Sequence, residues 1–417
     1  MKSTLLTLAL FSVLQISAQT SPRASVLQDE RNAQRQRIQQ QNAQTMQHTA
    51  VSRQSAQQQE WQSVKREWQE ETHQNQTVSY AFPPVQAHSA TYFKQSMSEL
   101  QRILDGQQDL SLKRAVFLSE NAFLDNSLSY EWFCKDIATQ IDVLKAFMKK
   151  EGLNTHDATS KKYMLQKFFS DTLVMRDAKG NYQFTHYPFT YDFDDPYGRK
   201  DWRKMFVTKL LRDKKGQCHS LPLLYLILAE ALHVKAWLAY SPEHAYIKTQ
   251  DAQGTWFNFE TTNGHYSTDT WLLSSAYVKA EAMKNKIYLD TLSKRETVAA
   301  CLVDLAMGYK EKFGFDAFIL EAVNKALEYS PRNIYALQLK ADYQTYLFRY
   351  VVKQLNYPPK SELYRYPKAY ELFKIAGDLH NLIDQLGYEE MPQTMYESWL
   401  QSFEREKNKQ TIQAIKP

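Results

Sequence analysis

Three residues have the side chains needed for a thiol reaction: Cys218 as nucleophile, His244 as base and Glu260 as the carboxylate that orients the base. Cys218 follows Lys214-Lys215-Gly216-Gln217 and precedes an apolar run over 220–232, so the spacing predicts a cysteine at the N-terminus of a helix. Thiol attack on an amide needs a thiolate, a base to make it, and N–H donors for the oxyanion. A helix N-terminus favours the thiolate through its dipole and its unpaired amides, and Cys218 is placed for that effect. Gly216 and Gln217 are expected close to the substrate, Gly216 letting the backbone approach it, with the amide of Cys218 as an oxyanion donor.

The other two residues fall on a predicted hairpin. Asp251-Ala252-Gln253-Gly254 is a turn signal between strands over 244–249 and 255–261. His244 and Glu260 are equidistant from Ala252, so a simple register sets them opposite each other, roughly 5 Å apart. Strand alternation puts Asn258 on the face of Glu260, which makes Asn258 an alternative orienting residue; Glu260 is preferred. Each residue alone is more often structural than catalytic. It is their order and the hairpin symmetry that single them out.

Elements that would position these residues can be read on both sides. The 220–232 helix is apolar almost all round and therefore buried, with Pro222 in its first turn, where a missing N–H costs nothing. A strand over 234–240 leads to the hairpin. Upstream, helical periodicity covers 110–123, 130–150 and 161–174, and Gly180-Asn181 turns the chain into one or two short strands over 182–193. Asp194-Asp195-Pro196-Tyr197-Gly198 reads as a solvated loop. Residues 202–211 read as a helix, with the basic residues from Arg199 to Lys204 on one face. Downstream, 297–313 and 316–329 form a helix pair closed by Ser330-Pro331, followed by helices over 334–352, 366–386 and 392–407. The pair resembles a single tetratricopeptide unit, with Gly308 and Tyr309 off its register.

Composition narrows the function classes. Met1 to Ala18 has the form of an export signal: Lys2, an apolar core over 5–13 too short to span a bilayer, and Ser17-Ala18 as cleavage site. The expected address is periplasmic or extracellular, with no membrane span. Residues 19–80 form a Gln-rich leader, disordered or partly helical. A net charge of +5 over 417 residues, with both signs mixed, gives no nucleic-acid surface. Cys134, Cys218 and Cys301 are too few and too far apart for a disulfide framework. The histidines and cysteines lack metal-ligand spacing, Asp194-Asp195 lacks the further oxygens of a calcium loop, and no cofactor is expected.

Gly216-Gln217-Cys218 opening a helix, then His244, then Trp256-Phe257-Asn258-Phe259-Glu260-Thr261 resembles the core of the transglutaminase-like superfamily. The short Cys218 to His244 interval, Pro242-Glu243-His244 and Asn263-Gly264 are similar to its bacterial branch with C-terminal tetratricopeptide-like helices. The resemblance covers about 202–263. It implies a papain-like core, Cys218 as nucleophile, His244 as base and Glu260 in place of the family's aspartate. His219 stands where many active members carry a large aromatic residue.

The expected fold is α+β, divided into a signal (1–18), a leader (19–80), an N-terminal helical region (81–200), a transglutaminase-like core (201–292), a helical module (293–408) and a tail (409–417). The expected function is thiol-dependent amide hydrolysis or acyl transfer on a peptide or protein. The alternative is a non-catalytic cell-envelope protein that binds a peptide or protein partner through its C-terminal helices.

Overall fold

The computed structural model describes residues 78–275 and 278–390, together with 394 and 405. The expected signal, all but the end of the leader and the tail lie outside the described residues. So does most of the expected 392–407 helix, in which Thr394 and Arg405 are helical.

The chain mixes helix and sheet. Among the described residues four helices come first: α1 (Ala90–Leu104), α2 (Leu112–Phe123), α3 (Tyr130–Lys150) and α4 (Ala158–Ser170). Ser111, Ser129 and Asp157 cap the last three, each side chain accepting a first-turn N–H that has no partner within its helix. The periodicity over 161–174 runs past the real end of α4. Residues 173–176 instead form β1 (Leu173–Arg176), paired antiparallel with β2 (Tyr182–His186) around Gly180.

β3 (Thr190–Tyr191) pairs in parallel with β4 (Lys215–Gly216), which fixes the strand leading to the thiol. Between them, the expected 202–211 helix is broken. A 3₁₀ turn (Trp202–Met205) ends at Phe206, which is extended, and α5 (Val207–Asp213) starts afresh. The break has a visible cause in Glu120 of α2, whose carboxylate accepts the N–H groups of Val207 at 2.6 Å and Thr208 at 2.9 Å. A carboxylate from a distant helix thus does the capping that Phe206 cannot. The basic residues consequently do not share a helix face: Lys204 instead pairs with Asp192 at 3.1 Å.

α6 (Ser220–Ala231) is the central helix, buried from Ser220 through Ala229. It packs against α2, α3, α4, α5 and two strands of the main sheet. That sheet is an antiparallel meander in the order β5 (Trp237–Ser241), β6 (His244–Gln250), β7 (Trp256–Glu260), β8 (His265–Ser267). Tyr225 joins the layers, its ring 5.3 Å from Phe169 of α4 and 5.5 Å from Phe259 of β7. Emptying such a site, as in Leu224→Ala, costs about 2–5 kcal/mol.

Two short helices, α7 (Asp269–Ser275) and α8 (Ala280–Lys284), lead to α9 (Lys294–Phe313), α10 (Ala317–Tyr329), α11 (Ile334–Gln354) and α12 (Pro367–Gln385). Successive helices of this set pack on one another, and α9 also lies against α1 and α2. Gly308 of α9 makes room for Trp202, since a Cβ there would stand 3.2 Å from the indole nitrogen. Among the described residues no helix is long and apolar enough to cross a membrane.

Candidate functional site

Cys218 and the hairpin meet at the N-terminus of α6. Pro242 and Glu243 form the two-residue turn between β5 and β6, closed by the Ser241–His244 pair. Glu243 has φ 55°, a left-handed conformation that side-chain residues seldom adopt. The Cys218 thiol donates to the Glu243 carbonyl with Sγ 3.9 Å from the oxygen, and His244 follows at once.

Glu260 reaches His244 along a register that differs from the expected one. Gln250 faces Trp256 and Lys248 faces Asn258, so the hairpin is centred on Gln253 rather than Ala252. The Asp251 carboxylate causes this: it accepts the N–H groups of Gln253 and Thr255, which keeps Thr255 in the loop and delays the strand to Trp256. Every cross-strand partner moves by two residues. An even shift leaves each side chain on its face, so Glu260 meets His244 on the diagonal, Oε2 lying 2.6 Å from Nε2. Ser267 of β8, a strand that sequence reasoning missed, donates to the other carboxylate oxygen at 2.9 Å.

His244 therefore lies between a buried carboxylate and a thiol. Burial alone would lower its pKa, but the charge of Glu260 and hydrogen bonds to Cys218 and Glu260 prevail and raise it to about 10. Glu260 is 4% exposed. The alternative orienting residue, Asn258, does not meet His244. It donates to Asp269 at 3.0 Å, and Lys248 of β6 grips the same carboxylate at 2.8 Å. This cluster ties the sheet to α7.

Gln217 and Gly216, both expected close to the substrate, are packed into the interior beside the thiol. Gln217 is fully buried, and its side-chain amide donates to the carbonyls of Asp192 (2.8 Å) and Asp195 (2.9 Å). It clamps the loop after β3 and has no donor left for a substrate. Gly216 is buried as well. A Cβ there would lie 2.6 Å from Ser220 Oγ and 3.0 Å from Leu210, so its lack of a side chain serves internal packing. Asp195 is likewise no solvated turn residue: it is buried and accepts the N–H groups of Arg199, Lys200 and Asp201. Among the described residues, no acceptor takes the backbone N–H of Cys218.

The aromatic groups near the thiol come from other elements. Tyr191 of β3 and Tyr335 of α11 have their pKa values pushed up chiefly by burial, and both lie close enough to Cys218 to interact with it electrostatically. Tyr335 packs edge-on against Tyr240 of β5 at 5.0 Å. His219 instead turns to Asp304 of α9, with 3.3 Å between Nε2 and Oδ2. Nothing in the local pattern marks Asp304, which is 85 residues further along the chain. Among the described residues no group of three or more His, Cys, Asp or Glu is placed to hold a metal ion. All three cysteines are free.

No family model, curated protein or solved structure matches the chain.

Proposed function

We propose that this chain is an exported thiol-dependent amide hydrolase or acyl transferase with a transglutaminase-like, papain-like core, acting on a peptide or protein. One observation carries the reading: a single imidazole, that of His244, is held by Glu260 at 2.6 Å through Nε2 and directly follows the Glu243 carbonyl that takes the Cys218 thiol at 3.9 Å, close enough for Cys218 to help raise its pKa. In the reaction, the sulfur of Cys218, its proton already taken by His244, bonds to the amide carbonyl carbon, the C–N bond breaks, and His244 gives that proton to the departing amine. Water or a second amine then attacks the thioester, His244 takes a proton from it, and the sulfur leaves as the thiolate, which restores the starting pair. Glu260 keeps the ring oriented throughout. The backbone N–H of Cys218 is the donor available to the oxyanion.

A second reading, a non-catalytic protein that binds a peptide, is favoured by the position of Gln217. Its amide is committed to the loop, and a missing oxyanion donor typically costs about 10²–10³ in rate. Cys218→Ala separates the two. With folding intact, loss of ammonia release and amine incorporation on glutamine-containing peptides supports the enzyme. Turnover unchanged in the variant sinks it, and partner capture unchanged without any turnover supports the binder.

A further inference from the structure

His219 follows Cys218 directly and occupies the N-cap position of α6 without a capping hydrogen bond, and it lines a small cavity together with Glu120 of α2, Trp202 and Asp304 of α9. Its only ion-pair partner among the described residues is Asp304, at 3.3 Å. We propose that Asp304 is a positioning residue for the thiol: through His219 it maintains a cation beside Cys218, separate from the His244–Glu260 pair, that favours negative charge on the sulfur. The inference rests on the reading of Cys218 as a nucleophile. It makes α9 part of the site, beyond any role of the C-terminal helices in holding a partner.

The groups facing His219 agree with this. Burial works against its charge, but Asp304, through charge and hydrogen bond, then Cys218 and Glu120, raise its pKa to about 9. Glu120 is fixed by the amides of Val207 and Thr208 and cannot swing across to replace Asp304. Burial raises its pKa to about 7 against those bonds and the charge of His219. Tyr240 of β5 and Cys301 of α9 feel Asp304 and are pushed up by burial, so they stay neutral near pH 7.

The test uses the full chain and two alkylating reagents of similar size, anionic iodoacetate and neutral iodoacetamide. Rates are read at the Cys218 peptide by mass spectrometry. The ratio of the two rates cancels the ionisation of the thiol and reports the charge beside it. The expected ratio falls roughly 3- to 10-fold in Asp304→Asn and His219→Gln, and recovers in Asp304→Glu. In the wild type, which needs no variant to fold, it falls as pH rises through about 9, where His219 gives up its proton. The His244 cation is common to wild type and Asp304→Asn, so it does not produce the difference between them.

A ratio unchanged in Asp304→Asn overturns the inference, as does a flat wild-type ratio across that range or a Cys218 inert to both reagents. Labelling needs no turnover. A chain that shows the charge effect but no turnover lost with Cys218 keeps this inference and loses the enzyme.

Discussion

Glu260 reaches His244 within one hairpin, across 16 residues, whereas Asp304 reaches His219 from a helix 85 residues beyond it. The first pair is close, with its carboxylate buried and held from a second side by Ser267. The second is longer and more open, its side chains 30% and 24% exposed. Two ion pairs of the same chemistry beside one cysteine thus differ in what they contribute. The hairpin pair is integral to the sheet, and the helix pair tunes charge at small cost to the fold.

The strongest way to break this contrast is Glu260→Ala, which leaves His244 without its carboxylate; urea denaturation should show a loss of about 3–5 kcal/mol. A loss no larger than that of Asp304→Asn would abolish the distinction. Next is pH. Both histidines bind protons more tightly in the folded chain than the ordinary value of 6.5 allows. Their stabilisation is complete below pH 6.5 and is lost as pH rises through about 9 for His219 and about 10 for His244. Thermal unfolding followed from neutral to alkaline pH should record a decline on the order of a few kcal/mol. Asp304→Asn should remove the share of His219, which ends near pH 9, and Glu260→Gln that of His244, which runs on to about 10.

Gly216→Ala probes the segment that carries Cys218 and His219. The added methyl meets Ser220 and Leu210, and chemical denaturation should show about 1–3 kcal/mol of destabilisation. Asp304→Asn itself should cost under about 1 kcal/mol, as part-exposed pairs do. A drop several times larger would assign Asp304 to the frame of the molecule, alongside Glu260.

What could be read from the sequence follows the same division. The buried central helix shows in the apolar run from Leu221 to Ala229, and the common face of His244 and Glu260 follows from strand parity, which a two-residue register shift does not disturb. The register itself depended on the Asp251 side chain holding Thr255 in the loop, a contact that residue type alone does not reveal. β8 is three residues long and gives no alternating pattern, so the Ser267 contact was missed. The packing of Gly216 and Gln217 is not legible in residue type, because their neighbours in space, Leu210, Ser220 and the carbonyls of Asp192 and Asp195, are set by the β3–β4 pairing. Glu120 and Asp304 lie on helices whose periodicity was plain. That their side chains face His219 is decided by packing between segments far apart in the chain.

The packing of α9 against α1 and α2 bears on how the molecule can be dissected. A fragment spanning 201–292 would keep Cys218, His244 and Glu260 but lose Glu120 and Asp304. It would also strip the cap from α5 and uncover the faces of α6 that meet α2, α3 and α4. The shortest piece of chain that contains the reacting groups is therefore not one that can be excised. Anyone grafting this site onto another scaffold would have to carry over helices from both ends of the described chain.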